Sequence, residues 1–280
     1  MRRSDIPPAV TDYLRRALDE DIGSGDVTTS LLIPENDISH ARFIAKDTFI
    51  LAGLPFAEEV FRILDPLVGW KTFFDDGDRI ERGQTIAEIH GSTRTLLVGE
   101  RVSLNILQRL SGIATFTRRF VEQTRGLKVR IADTRKTVPC MRYLEKYAVR
   151  IGGGYNHRFG LSDGILIKTN HVTAVGDLAE AIRRARKAHH LMKIEVEVGT
   201  LDDLMTAVRA GADVVMLDNM SVSDLKKAVE MAGEHVLLEA SGGVTLENVR
   251  EIASTGVHIV SVGALTHSAT AADISLQFFR

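Results

Sequence analysis

The chain has 280 residues, 44% hydrophobic and 26% charged, with a formal net charge of -2; that length holds one large α/β domain and a smaller one. Near-neutrality without a dominant basic face argues against nucleic acid as a partner, and no apolar run approaches the ~20 residues of a membrane span. Cys140 is the single cysteine, which excludes an internal disulfide and a multi-cysteine metal centre, and the N-terminal MRRSDIPPAV lacks the apolar run of a secretory signal, so a cytoplasmic protein is expected.

Pro7 to Glu20 reads as a short helix, with Val10, Leu14, Ala17 and Leu18 at helical spacing behind an initial proline. The segment EDIGSGDVTTSLLIP is rich in turn residues and then becomes apolar. Ile38 to Lys46 alternates like a strand, and Leu54 to Leu64 places Phe56, Val60, Phe61 and Leu64 on one helical side. Residues 69–91 carry turn signals at Asp76-Gly77 and Arg82-Gly83 between short β-like runs, as in a lipoyl or biotinyl hairpin module. The modifiable lysine of a carrier is missing, since Ile89-His90-Gly91 leads into Ser92-Thr93, so this piece reads as structural. From Thr95 to Thr124 the apolar spacing gives one long helix, or two interrupted near Ser111-Gly112.

Beyond residue 127 short apolar runs alternate with amphipathic helices. The strand candidates are Val129–Asp133, Gly164–Lys168, Lys193–Val198, Val214–Asp218, Val236–Ala240 and Ile259–Gly263, with helical patterns near 141–151, 177–190, 201–210, 222–232 and 245–254. Repeated βα units imply a parallel sheet, either a barrel or a doubly wound sheet. Every one of these strands ends in polar or glycine chemistry, which lines one rim of a barrel; a doubly wound sheet uses only the loops at its switch point. Six strands fall short of a closed eight-stranded barrel, yet the barrel is the better reading of those ends.

The segment from Asp133 to His171 concentrates charge: seven Lys/Arg against three acids. Arg135-Lys136 and His157-Arg158 lie just beyond predicted elements, where side chains converge on a site. A local cationic pocket in a near-neutral protein implies an anionic small molecule. Lys168, at a strand end, fits the same anion or a Schiff-base role. Glu197 and Asp218 end neighbouring strands and suit Mg²⁺ or a ribose diol; Glu195 has the same side-chain parity as Glu197, which lies closer to the strand end. The loops Ser241-Gly242-Gly243 and Gly263-Ala264-Leu265, in successive βα units, let backbone N–H groups approach a phosphate.

The series EDIGSGDVTT, ERVSLNILQRLSGIAT, DTRKT, GGGYNHR, LIKTNH, EVEV, LDN, EASGG and VGALTHS resembles the quinolinate phosphoribosyltransferase family over essentially the whole chain. The resemblance implies an N-terminal α/β sandwich (1–112, with a linking helix to about 125) followed by an incomplete parallel α/β barrel (113–280), the type II phosphoribosyltransferase arrangement. It implies transfer of phosphoribose from phosphoribosyl pyrophosphate to quinolinate with decarboxylation, giving nicotinate mononucleotide, pyrophosphate and CO₂ on the route to NAD, with Mg²⁺ as cofactor. Matched motif by motif, Arg135, His157, Arg158 and Lys168 hold the quinolinate carboxylates. Lys136 meets the pyrophosphate, Glu197 and Asp218 the ribose and Mg²⁺, and the two glycine loops the 5′-phosphate. Catalysis then falls to Lys136, Lys168, Glu197 and Asp218. Arg101, in the ERxxLN motif, is expected to reach a neighbouring subunit's site, which requires a homodimer, or a hexamer built from such pairs.

Val138 and Cys140 depart from the family pattern where Thr and Gly are common, and Thr169 stands where an acid is usual. The nearest alternative is a molybdenum-transport-associated paralogue of the same fold acting on another acceptor; it typically alters the NHR and LIK-x-NH regions, intact here. A Schiff-base aldolase leaves Arg135, His157 and Arg158 unexplained, and nicotinate as acceptor leaves too many cations unpaired.

Overall fold

A computed structural model describes residues 5–279. The chain forms two compact units. One comprises the chain up to Arg118, Pro139–Gly152 and the segment from Ala269 onward; the other comprises Arg119–Val138 and Gly153–Ser268.

In the first unit, α1 (Pro8–Ile22) buries Val10, Leu14 and Leu18, one stripe of an amphipathic helix. The following turn-rich segment contains a helix that periodicity does not disclose, α2 (Val27–Leu32). It is too short to show a hydrophobic period, but Asp26 marks its start by accepting the Thr29 N–H at 2.9 Å. Strands β1 (Ile38–Ala45) and β2 (Phe49–Ile50) precede α3 (Leu54–Leu64), and β3 (Gly69–Thr72), β4 (Arg79–Ile80) and β5 (Thr85–Ser92) precede α4 (Thr93–Gln123). The last is one continuous helix of 31 residues. Gly112 does not break it: a Cβ there would strike the Thr270 carbonyl, so glycine permits close approach of the C-terminal segment.

The sheet of this unit is antiparallel and includes the C-terminal strand Ile274–Phe279, which pairs with β1; β1 pairs with β5, and β5 with β3. Its buried face carries Phe43, Ile86 and Ile89 against Phe61, Leu96, Leu104 and Leu107, each fully buried large side chain stabilising by about 1.5–3 kcal/mol. The helix α5 (Arg142–Ile151) belongs here as well. Its Glu145, fully buried, accepts from the Arg109 guanidinium at 2.6 and 3.0 Å. The Tyr147 hydroxyl donates to Asp76 at 2.7 Å, and the same carboxylate accepts the Gly53 and Leu54 N–H groups that open α3. Asp76→Ala removes three bonds and the cap together, an expected loss of about 3 kcal/mol, read as a lower midpoint in denaturant without a change in slope.

A single cut near residue 112 therefore does not describe the packing. Residues 139–152 and the C-terminal strand, expected in the barrel domain, join the first unit, because strand pairing with β1 and burial of α5 hold them there.

The second unit contains β6 (Arg130–Ala132), β7 (Ile165–Ile167), α6 (Thr169–Val175), α7 (Leu178–Ala185), β8 (Ile194–Val198) and α8 (Leu201–Ala210). It continues with β9 (Val214–Asp218), α9 (Val222–Ala232), β10 (Leu237–Ser241), α10 (Val249–Ala253), β11 (Ile259–Ser261) and α11 (Ala264–His267). All six strands are parallel, in the order β6-β11-β10-β9-β8-β7. From β7 to β11 each strand lies beside its predecessor, so the winding never reverses and there is no switch point. The first strand, β6, lies beside the last, as in a barrel; β6 and β7 stay unpaired with each other, which leaves the barrel open. Tyr155 covers part of the β6 edge, donating its N–H to Ile131 at 2.8 Å and accepting from Asp133 at 3.0 Å.

Candidate active site

The inward residues of the sheet form levels. Strand register puts Glu197 beside Met216 and Met216 beside Glu239; one step towards the C-terminal ends, Asp218, Ser241 and Ser261 stand in a row. Above this floor, at the strand C-termini, lies a cavity of about 330 Å³ whose lining includes Arg135, Lys136, His157, Arg158, Lys168, Glu197, Asp218 and Ser241. Eight of the positions expected from the sequence thus converge on one space within the second unit.

Its basic side is built by two loops. Asp133, fully buried at the end of β6, accepts from the Asn156 amide at 2.6 Å and the His157 N–H at 2.8 Å, pinning one loop to the other. Arg135 and Arg158 each have a buried Nε–H with no partner among the described residues. Burial first, and Arg135 second, pull the Arg158 guanidinium below the ordinary arginine value. Arg158 Nη1 donates to the Gly164 carbonyl at 3.1 Å, and the two like charges with their unanswered Nε–H groups are chemically suited to an anion. Lys136 stands against the last loop: a Cβ on Gly263 would lie 2.9 Å from its Cδ, and the Thr266 hydroxyl donates to its carbonyl at 2.7 Å.

The acidic side is anchored by Glu197, which takes the Lys168 ammonium at 2.7 Å and the Thr169 hydroxyl at 3.1 Å. Burial pushes the Glu197 carboxyl up, but these donors overcome it and hold the group below the usual carboxylate value. Thr169, where an acid was expected, therefore supports the ionised Glu197. Asp218 accepts from the Asn219 amide at 2.9 Å. Two carboxylates on adjacent strand ends, facing one cavity, are the hard oxygen donors that Mg²⁺ shares with a substrate diphosphate; the donor set fits that ion.

The phosphate loops differ from expectation in their helices. The helix after Ser241-Gly242-Gly243 begins only at Val249, and α11 has four residues, so neither loop opens directly into a long helix. Gly242 and Gly243 adopt φ of 91° and 61°, and a Cβ on Gly242 would collide with the Asn219 side chain. Glycine is thus required by both backbone conformation and close approach. Arg101 is exposed on α4, in the first unit, and Ala264 and Leu265 form the first turn of α11. Cys140 has φ of 65°, a conformation that costs a side chain about 1–2 kcal/mol and that glycine adopts freely. Val138 is exposed.

At the cavity wall His157 meets Glu195 and Glu239, a grouping that sequence reasoning, which placed His157 on the acceptor and weighed Glu195 against Glu197, did not foresee. His157 Nε2 is 3.0 Å from Glu195 and 3.7 Å from Glu239, and its Nδ1 accepts the Arg158 N–H at 2.8 Å. The three side chains offer ligand atoms within 4.8 Å of one another; with Nδ1 accepting the Arg158 N–H, the neutral ring carries its proton on Nε2, towards Glu195. Glu195 is thereby separated from Glu197: the first turns to His157, the second to Lys168. Burial, then the Glu195 carboxylate, push Glu239 up to about 7, against the pull of His157. A carboxyl raised above its unfolded value of 4.5 adds stability at low pH that is lost as pH rises through about 7. Thermal midpoints should therefore fall from about pH 5 to about pH 8, and Glu239→Gln should flatten that fall.

Comparison with known proteins decides the family. Residues 113–277 match the quinolinate phosphoribosyl transferase C-terminal domain and residues 26–111 its N-terminal domain. The chain belongs to the quinolinate phosphoribosyltransferase family. It is 47% identical over 259 residues to a probable nicotinate-nucleotide pyrophosphorylase [carboxylating] of Bacillus subtilis, covering 92% of this chain and 89% of that protein. It is 41% identical over 275 residues to the Mycobacterium leprae nicotinate-nucleotide pyrophosphorylase [carboxylating], covering 96% and 97%. The solved nicotinate-nucleotide pyrophosphorylase of Francisella tularensis superposes with a TM-score of 0.93 at 41% identity, covering 100% and 99%. The two family domains meet at residues 111 and 113, whereas the two packing units are made of segments that alternate along the chain.

Proposed function

We propose that this chain transfers phosphoribose from phosphoribosyl pyrophosphate to quinolinate and releases CO₂, using the cavity at the open end of its barrel. The observation that carries this reading is the pair Arg135 and Arg158, whose buried Nε–H groups lack partners among the described residues and stand beside Lys136 and Lys168. Quinolinate has two carboxylates on adjacent ring carbons, and two planar guanidiniums match them. Lys168, already at Glu197, stands between acceptor and donor halves.

The chemistry is chiefly positioning and electrostatics. The pyridine nitrogen attacks the anomeric carbon as the pyrophosphate leaves; Glu197 and Asp218 stabilise the positive charge that grows on the ribose, and Lys136 the negative charge on the departing oxygens. Glu197 and Asp218 would hold Mg²⁺, which would supply neutralising charge to the diphosphate. The new N-substituted ring then accepts the electron pair left when the 2-carboxylate departs as CO₂, and a proton from the medium replaces it. Ser241–Gly243 and Gly263–Leu265 receive the 5′-phosphate. Arg101 reaches the site of a second copy, so the working form is at least a homodimer.

Calorimetric titration tests the acceptor assignment without turnover. Quinolinate should bind roughly 100-fold more tightly than nicotinate, since one carboxylate leaves a buried cation unpaired at a cost of about 2–5 kcal/mol. Equal affinities would refute it.

A further inference from the structure

The mechanism above gives no part to Glu195 or Glu239, yet both are buried on the cavity side of β8 and β10, at 9% and 1% exposure. Each has a buried oxygen without a hydrogen-bond partner among the described residues. Buried carboxylates are costly and persist where they organise something. Here they face one ring, that of His157. Because Nδ1 accepts the Arg158 N–H, the ring proton must sit on Nε2, which points to Glu195. Both ring nitrogens are then engaged by protein, and His157 has none to offer a substrate carboxylate in this arrangement.

We propose that Glu195, backed by Glu239, is a positioning residue that locks His157 in its Nε2–H tautomer and thereby fixes Arg158 for the acceptor dianion. Arg158 needs such a device. Its guanidinium lies close enough to Arg135 to be repelled by it, so bidentate recognition depends on an imposed backbone geometry. Asp133 holds the His157 N–H and the Asn156 amide, and the His157 ring holds the next N–H along, that of Arg158 itself. The other tautomer would set a protonated Nδ1 against that N–H, and a flipped ring would set the Cδ2 hydrogen there. The buried carboxylates exclude both, since only an Nε2–H in the present orientation satisfies them. His157 thus also acts through Arg158, and Glu195 serves the acceptor subsite, leaving the ribose and metal side to Glu197.

The inference rests on the cavity being the acceptor site, and its test separates the two claims. In Glu195→Ala/Glu239→Ala, KM for quinolinate should rise roughly tenfold, the consequence of a lost buried partner, while KM for phosphoribosyl pyrophosphate stays within about twofold. Glu195→Gln, which keeps an acceptor for Nε2–H, should recover most of the quinolinate affinity. Both KM values rising together, or Gln failing as badly as Ala, would overturn the assignment. Should the double variant not fold, the wild-type protein still decides: ¹⁵N-histidine spectra must show His157, assigned with His157→Gln, as the neutral Nε2–H tautomer at neutral pH. An Nδ1–H tautomer or an imidazolium there refutes the proposal. Binding of unreactive benzene-1,2-dicarboxylate gives the same contrast between variants without turnover. A wild type that binds it, shows the Nε2–H tautomer and does not consume quinolinate defeats the reaction reading alone.

Discussion

Arg135→Ala lowers kcat/KM for quinolinate by about 100-fold or more, because a desolvated carboxylate left without its guanidinium costs about 2–5 kcal/mol. The fold should be untouched. Arg135 is half-buried in the loop after β6 and its Nε–H has no partner among the described residues, so its removal breaks little inside the protein. It also relieves the repulsion that lowers Arg158, so thermal stability should hold or rise slightly while affinity falls. That opposition is the signature of a side chain placed for a ligand at some expense to the fold. Parallel steady-state kinetics and thermal melts check it; near-normal kcat/KM, or a large loss of stability, would contradict the assigned role.

The second large effect concerns Arg101 and Lys168. Each single alanine variant should be nearly inactive on the proposed mechanism, which assigns Arg101 to the site of a neighbouring copy and Lys168 to the site of its own. Mixed and allowed to exchange subunits, the two variants should regain activity, since a hybrid dimer has one site carrying both native side chains. Random pairing gives about half hybrids, each with one of two sites intact, so roughly a quarter of wild-type activity is expected. Mixed dimers that form, as shown by native mass spectrometry, and remain inactive would refute the shared site.

The sequence reveals the second unit better than the first. Parallel strands buried on both faces read as uninterrupted apolar runs ending in polar residues, so all six were visible, and their ends gave the rim. The first unit hid what depends on distant partners. The C-terminal strand exists because β1 offers it an edge, and no local period announces it; α5 reads correctly as a helix, but its burial by Arg109 and Asp76 is a tertiary matter. At the site, Arg135, Arg158, Lys168 and Glu197 were legible because charge at a strand end is unusual. Glu195 and Glu239 were harder to place, since strand parity turns them inward but cannot say which of several facing groups they meet. His157 lines the cavity where its motif position put it, but only the geometry shows where its nitrogens point.

The most direct measurement is turnover with quinolinate labelled in its 2-carboxylate, phosphoribosyl pyrophosphate and Mg²⁺, with nicotinate as a parallel acceptor. The account predicts nicotinate mononucleotide, pyrophosphate and labelled CO₂ in equal amounts from quinolinate, and no nucleotide from nicotinate. Nucleotide formed from nicotinate at a comparable rate, or no product from either, would contradict it.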